Sequence, residues 1–236
     1  MHTRQVQAFL RAVLQSAQRR VDTARAGTLL WRAQRGASTI DVPIPGTDES
    51  VEEDYPFGTK RMKPLRGRAK EGRANPKGIP YLYLATHRDT AVAEVRPWKS
   101  GVVSVGQFKI VRDLRLVNTT INSKQAFYLG KQPDPAKREE AVWGDIDAAF
   151  AAPTTQSDDA SEYVPTQVLA ELFRDNGFDG IAYRSAYGPG HNVVLFDLDA
   201  ADQSNCVLVR VKDITFVLEQ DQQYFYSVPR DKPVSA

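Results

Sequence analysis

The run Gly72-Arg73-Ala74-Asn75-Pro76-Lys77-Gly78-Ile79-Pro80-Tyr81-Leu82-Tyr83-Leu84-Ala85, continued from position 91 by Ala91-Val92-Ala93-Glu94-Val95-Arg96-Pro97, decides the fold. Tyr81–Ala85 is apolar, strand-length and bounded by Gly and Pro, so it reads as a strand. Asp89 or Thr86 can cap a short helix through Ala91, Val92, Glu94 and Val95, and Pro97 stops it. Glu94 is the one charge in an otherwise apolar helical turn.

Upstream, residues 28–33 read as a strand carrying Trp31 and Arg32. Residues 4–24 read as an amphipathic helix, with Val6, Leu10, Val13, Leu14, Ala17 and Val21 at helical spacing. Residues 41–78 show no clear periodicity; they hold an acidic patch (Asp48, Glu49, Glu52, Glu53, Asp54) and then a basic run from Lys60 to Lys70, the pattern of a functional loop. That run carries Lys60, Arg61, Lys63, Arg66, Arg68 and Lys70 and no acid, so it reads either as a solvated loop or as a cationic rim leading into Arg73.

Downstream, residues 102–110 and 114–118 read as strands. Residues 119–162 look like an insertion with one helix presenting Val142, Ile146 and Phe150. A helix over about 165–176 has Val168, Leu169, Leu172 and Phe173 on its apolar face, with Gly177 as C-cap. Strands near 180–185 and 192–197 flank the turn Tyr187-Gly188-Pro189-Gly190, and strand-like segments near 206–218 and 223–228 suggest a terminal hairpin. The expectation is an α+β fold on a mostly antiparallel sheet, with a helical segment over 1–27 and the main domain over 28–236.

The 236 residues are enough for one sizeable core. A net charge of +2 offers no concentrated basic face for nucleic acid. One cysteine, Cys206, excludes an internal disulfide and suits a reducing compartment. No apolar run has the length of a membrane span or the continuity of a secretory signal. His2, His87 and His191 stand far apart with no ligand-spaced cysteine, so no metal site is expected. No phosphate-cradling glycine loop and no G-x-S-x-G elbow is present.

What remains is Arg32, Arg73, Glu94, Ser185 and Asn192, each beside an apolar element. A half-buried carboxylate near two arginines stays ionised and can stabilise a cation. Each also has an ordinary reading: surface charge for the arginines, a solvated helix position for Glu94, a turn former for Ser185.

The resemblance to a family adds to this. The run 72–97 is similar to the central motif of the RES-domain family. Tyr163-Val164-Pro165-Thr166-Gln167-Val168-Leu169-Ala170-Glu171, then Gly177–Ser185, then Gly190-His191-Asn192-Val193-Val194-Leu195-Phe196, resemble its C-terminal half. The likeness covers roughly 28–200, with departures at 41–71, at 119–162 and after 200. The family is named for an Arg, a Glu and a Ser; Glu94 and Ser185 match the latter two, and both Arg32 and Arg73 match arginine positions.

The resemblance implies an ADP-ribosyltransferase-like split sheet around an NAD⁺ cleft, and loss of NAD⁺ by scission of its nicotinamide–ribose bond with phosphate as acceptor. NAD⁺ is then substrate and no cofactor is required. Glu94 would stabilise the oxocarbenium-like transition state. Arg32 and Arg73 would bind the diphosphate, one of them instead placing the phosphate. Tyr83 would stack on the nicotinamide or ribose, and Ser185 and Asn192 would hydrogen-bond substrate. Catalytic roles thus fall to Glu94, Arg32 and Ser185, and substrate binding to Arg73, Tyr83 and Asn192. The family further implies a toxin of the bacterial cytoplasm neutralised by a helix-turn-helix antitoxin of the Xre type, with a homo-oligomer left open. Water in place of phosphate as acceptor would make it an NAD⁺ glycohydrolase; the competing readings are an ADP-ribosyltransferase acting on a macromolecule and a non-catalytic NAD-binding module.

Overall fold

The computed structural model describes residues 3–123, 134–153 and 160–219. The chain opens with helix α1 (Thr3–Ala17) and strands β1 (Val21–Ala24) and β2 (Leu29–Arg35). A hairpin of β3 (Ser38–Pro43) and β4 (Ser50–Tyr55) follows, then one turn of helix, α2 (Thr59–Met62). Next come β5 (Leu82–Ala85), α3 (Arg88–Glu94), β6 (Val102–Ile110) and β7 (Leu114–Asn118). The chain continues with α4 (Pro135–Ala151), α5 (Val164–Asp175), β8 (Gly180–Arg184), β9 (His191–Leu195) and β10 (Ala201–Arg210).

Eight strands form one sheet in the order β1-β7-β8-β9-β5-β2-β6-β10, and β3 and β4 pair apart from it. Only the β7–β8 pairing is parallel. Its crossover runs through α4 and α5, since parallel neighbours need a long connection and this one covers a sheet face. The sheet is nearly divided: β2 meets β5 at a single register pair, Trp31 with Ala85, whereas β2 pairs with β6 along seven residues. The mostly antiparallel, split α+β architecture expected from the sequence is therefore present, as one sheet whose halves touch at one point.

Alternation along the strands assigns the cores. In β5, Leu82 and Leu84 join one cluster with Leu30, Met62, Phe108 and Leu195, while Tyr83 and Ala85 face the opposite side. There, α1, α4 and α5 cover β7, β8 and β9 through Val13, Ala17, Trp143, Phe150 and Phe173. Trp143 is fully buried, stacks on Phe173 at 6.3 Å and donates its indole N–H to Ser16 Oγ at 3.0 Å. The helix within 119–162 is thus part of the main core. Asp147 on it is also buried, accepting from Thr119 Oγ1 (2.6 Å) and from the Arg184 guanidinium (2.6 and 3.0 Å), which ties α4 to β8.

Four local expectations are corrected. The N-terminal helix ends at Ala17, not near 24, because Val21–Ala24 pair with β7. The stretch 41–78 holds the β3–β4 hairpin and α2. The last described strand runs over 201–210 rather than 206–218, its polar first half recruited by pairing with β6. Thr86 does not cap α3: the N-cap position is His87, and the Thr86 hydroxyl instead accepts from His191 N–H at 2.9 Å. The strand expected at 223–228 lies outside the described residues. No helix among the described residues is long and apolar enough to cross a membrane.

Gly180 tests the sheet most directly. A Cβ there would lie 2.2 Å from the Val194 carbonyl oxygen and 3.1 Å from Leu116 Cδ2, with backbone on the tighter side. Gly180→Ala should cost about 3 kcal/mol or more, at the upper end of overpacking. Denaturant unfolding checks this, and a loss under about 1 kcal/mol would mean the β8–β9 pairing gives way easily.

Candidate active site

At the division of the sheet lies a cavity of about 900 Å³, lined by β2 from Trp31 to Arg35, by Tyr83, Leu84 and Ala85, by Glu94–Trp98, and by Arg61, Tyr183 and Asn192. Its size is that of a small-molecule site.

Glu94 is the last residue of α3 and, among the described residues, the only acidic one lining the cavity. A carboxylate at a helix C-terminus gains nothing from the macrodipole, so it needs other donors. Ser185 Oγ donates to Glu94 Oε1 at 2.8 Å and Asn192 Nδ2 donates to the same oxygen at 2.6 Å. Among the described residues both bonds fall on Oε1, so Oε2 is the oxygen left to meet a ligand.

Local sequence brings these three together. Asn192 stands between Ala85 and Tyr183 in the sheet register. Ser185 directly follows β8 and accepts from Tyr187 N–H at 3.1 Å, so it is at once the turn former and the Glu94 donor. The turn after it lies against α3: Thr90 Oγ1 donates to the Pro189 carbonyl at 2.7 Å, and a Cβ on Gly188 would come within 2.6 Å of Thr90 Oγ1. Gly190 adopts φ +76°, where a side chain would also meet His87 and Thr86 at 2.3 Å. The Gly-Pro-Gly turn is thus the condition for docking Ser185 on α3. Beyond Glu94, Arg96 takes the left-handed φ of 45°, and its guanidinium stacks on and hydrogen-bonds Tyr187.

Arg32 approaches from the other half of the sheet. It is half-buried, its Nη1 donates to the Tyr83 carbonyl at 2.8 Å, and its Nε is buried with no partner. Burial pulls it down to about 10; the nearby Tyr83 opposes this and Arg61 adds repulsion, so the guanidinium is still charged at neutral pH. No carboxylate pairs with it among the described residues. A buried cation without a counter-ion is costly, and an anionic ligand removes the cost.

Tyr83 lines the cavity with its ring, but its hydroxyl turns away, donating to Asn75 Oδ1 at 2.7 Å and accepting from Ala74 N–H at 3.1 Å. Burial raises the Tyr83 hydroxyl far above its ordinary value, and burial, the neighbouring Tyr83 and Glu94 do the same for Tyr183, so both phenols are neutral. Arg73 is not brought to the cavity wall. Its guanidinium donates to the Ala149 and Pro153 carbonyls at 3.3 and 3.2 Å and lies 5.1 Å over Tyr163. Of the basic run, Arg61 lines the cavity, whereas Lys63 and Arg66 pair with Asp199 and Asp202.

Sequence reasoning missed Tyr183 and Trp31 as wall residues and offered Arg61 only as one of six residues of a cationic rim. Tyr183 shares a strand face with Ser185, a signal that the sequence carries; Trp31 and the choice of Arg61 from the run depend on packing across elements. Among the described residues no group of three His, Cys, Asp or Glu side chains converges as a metal site would.

Arg32→Met exchanges the unpaired charge for an apolar chain of similar reach. Relief of the buried charge opposes the loss of the donor to the Tyr83 carbonyl, so its unfolding free energy should stay within about 2 kcal/mol of the parent, while the stabilisation of the parent by added pyrophosphate should vanish. Thermal unfolding with and without pyrophosphate decides it. A loss above about 2 kcal/mol would make Arg32 a structural tie to Tyr83 instead.

No curated protein matches the chain in sequence. A solved structure, that of the MbcT-MbcA toxin-antitoxin complex of M. tuberculosis, is similar over 83% of this chain and 91% of that chain, at 14% identity and a TM-score of 0.45. So distant a likeness carries no functional argument. The family model described as the RES domain matches residues 50–219, which takes in Glu94, Ser185 and Asn192 and leaves Arg32 just upstream. Over the greater part of its length, then, this chain belongs to the RES-domain family.

Proposed function

We propose that the protein cleaves the nicotinamide–ribose bond of NAD⁺ and transfers the ADP-ribosyl group to inorganic phosphate. The observation that carries this reading is the Glu94 carboxylate, held on one oxygen by Ser185 and Asn192, facing a cavity whose opposite wall bears the unpaired Arg32.

The two walls suit the two ends of the substrate. The NAD⁺ diphosphate is anionic and matches a guanidinium. The nicotinamide riboside end is cationic and faces the carboxylate. As the C1–N bond breaks, its electron pair returns to the pyridinium ring, nicotinamide leaves neutral, and positive charge develops on the ribose. Glu94 Oε2 stabilises that charge, and the donors on Oε1 fix its aim, so little reorganisation is needed in the transition state. A phosphate oxygen then forms the new bond to C1. The neutral Tyr183 and the Tyr83 ring offer faces for the nicotinamide or ribose.

Membership of the RES family supports the toxin reading: a chain that drains the NAD⁺ of the bacterial cytoplasm until a helix-turn-helix antitoxin of the Xre type covers it. Transfer to a macromolecule is the second reading, and the acceptor assay separates the two.

Purified protein incubated with NAD⁺ and phosphate should release nicotinamide and a phosphorylated ADP-ribose, read by mass spectrometry. Free ADP-ribose as the only other product would make it a glycohydrolase, label on a protein or nucleic acid a transferase, and intact NAD⁺ would sink the reading. Glu94→Gln should lower kcat by roughly 10²–10³-fold while the Kd for NAD⁺ moves by no more than about threefold, because the carboxylate acts on charge that appears only in the transition state. Equal turnover in variant and parent would remove Glu94 from the chemistry. Expression of the chain alone should arrest bacterial growth as cellular NAD⁺ falls; normal growth with soluble, active protein present would contradict the toxin role.

A further inference from the structure

We propose that Arg61, together with Arg32, forms a two-guanidinium seat for a phosphoryl group on the wall opposite Glu94. This deepens the NAD⁺ reading and rests on it for the identity of the ligand, but not for the existence of the seat.

Arg61 sits on α2, the single helical turn after the β3–β4 hairpin, and lines the same cavity as Arg32. Packing holds the turn in place. Met62 beside Arg61 is fully buried in the cluster that contains Leu30, and a Cβ on Gly106 would come within 3.0 Å of Met62 Cε. Gly106 is also the residue that pairs with Arg32 across β2 and β6. The glycine therefore leaves room for α2 directly over the strand position that carries Arg32. By alternation Arg32 shares the side of β2 with Leu30, so both arginines reach the cavity from the α2 side, while Glu94 reaches it from α3.

The Arg61 side chain is also oriented, since its guanidinium lies 4.9 Å over the ring of Phe57, which is itself buried. Phe57 N–H in turn donates to Ser104 Oγ at 3.1 Å on β6. Neither arginine has an ion-pair partner among the described residues, although Lys63 and Arg66 in the same run do. The cost falls on Arg32, whose Nε is buried and unpartnered and which the exposed Arg61 on the same cavity repels, and an anion bridging the two guanidinium groups removes it. Planar guanidinium groups on one wall suit the tetrahedral oxygens of a phosphoryl group.

A phosphoryl group can come from two sources, the diphosphate of the dinucleotide or the free phosphate acceptor. The probes are inorganic phosphate alone and ADP-ribose alone, titrated calorimetrically into the full-length protein, into Arg61→Gln and into Arg68→Gln. Arg68→Gln removes an equal charge from the same run at a position that is exposed, as Arg61 is, but does not line the cavity. Arg61→Gln should weaken at least one probe by roughly tenfold to a hundredfold, as expected for lost charge-assisted bonds, with Arg68→Gln near the parent value. Weakening of phosphate alone, with both probes binding the parent together, assigns the seat to the acceptor. Competition between the probes, with both weakened, assigns it to the diphosphate. Unchanged affinities in Arg61→Gln overturn the seat, and so does equal weakening by Arg68→Gln, which would mean only the field of the basic run is felt. Near-parent melting of Arg61→Gln excludes a folding artefact, and Arg61→Lys should restore part of the affinity. None of these readouts requires turnover, so a parent that binds phosphate but leaves NAD⁺ intact would sink the proposed reaction and spare the seat.

Discussion

The contact on which the rest of the structure depends is the single residue pair, Trp31 with Ala85, that joins the two halves of the sheet. A longer ladder there would close the sheet and leave no cavity. Side chains of both halves also pack together, Leu30 and Phe108 with Leu82, Leu84 and Leu195, but the pair is where the two backbones meet and so sets how far apart Arg32 and Glu94 stand. Where the ladder stops, the Arg32 guanidinium supplies the Tyr83 carbonyl with a donor, so the side chain proposed to bind substrate also satisfies the backbone at the gap. The helix after β5 spans the same gap and delivers Glu94 to its far side.

Positive and negative groups are kept apart across that gap, and each is held by a different device. Glu94 is held by neutral donors, Ser185 and Asn192, rather than by an arginine, which leaves its charge available to a cation. Arg32 is held by a carbonyl rather than a carboxylate, which leaves its charge available to an anion. Tyr83 is anchored from behind by the loop at 70–79. There the buried Asn75 donates to the carbonyls of Lys70, Pro76 and Ile79 and accepts the Tyr83 hydroxyl. Asn75 can satisfy both ends of its amide at once, which is how an irregular loop turns a tyrosine ring into a fixed wall.

Several elements were legible because their periodicity and their burial coincide. Residues 102–110 and 114–118 are the strands the pattern predicts, and the helices around Phe150 and Phe173 bury Ile146, Phe150, Leu169 and Phe173 of the faces that the spacing marks, while Val168 is exposed. The misread elements lacked that coincidence. In the β3–β4 hairpin, Ile40, Val42, Val51 and Tyr55 share one face by register, and Asp41, Glu52 and Asp54 share the other. The apolar face covers no core, and Pro43 and Gly46 interrupt its short alternation, so the pattern was read as loop. The opening of β10, Ala201-Asp202-Gln203-Ser204-Asn205, has no apolar signal, and only pairing with β6 makes it a strand. The N-terminal helix was overextended because Val21 keeps helical spacing with Ala17 while its backbone is claimed by β7.

By itself the sequence determined the fold class, which rests on local order in apolar period and turn chemistry, and it carried the family through the motifs at 72–97 and 163–196 that resemble it; Glu94 stands out there as the lone carboxylate in an apolar turn. It also placed Ser185 and Asn192 on either side of one glycine turn, with hydrogen bonds to substrate as their expected role; that both instead donate to Glu94 Oε1 emerged only from the tertiary structure. The choice between Arg32 and Arg73 belonged to the tertiary structure alone. Both lie beside apolar runs, and nothing local to either says that one guanidinium ends against the carbonyls of residues 149 and 153 while the other ends at the gap in the sheet. The basic run is legible as a cationic rim, but which of its residues reaches the cavity is not, since the place of Arg61 beside Arg32 depends on a glycine in a strand 45 positions later leaving room for a buried methionine. Which charges meet across a cleft is set by the packing of elements distant in sequence, and no local pattern records that.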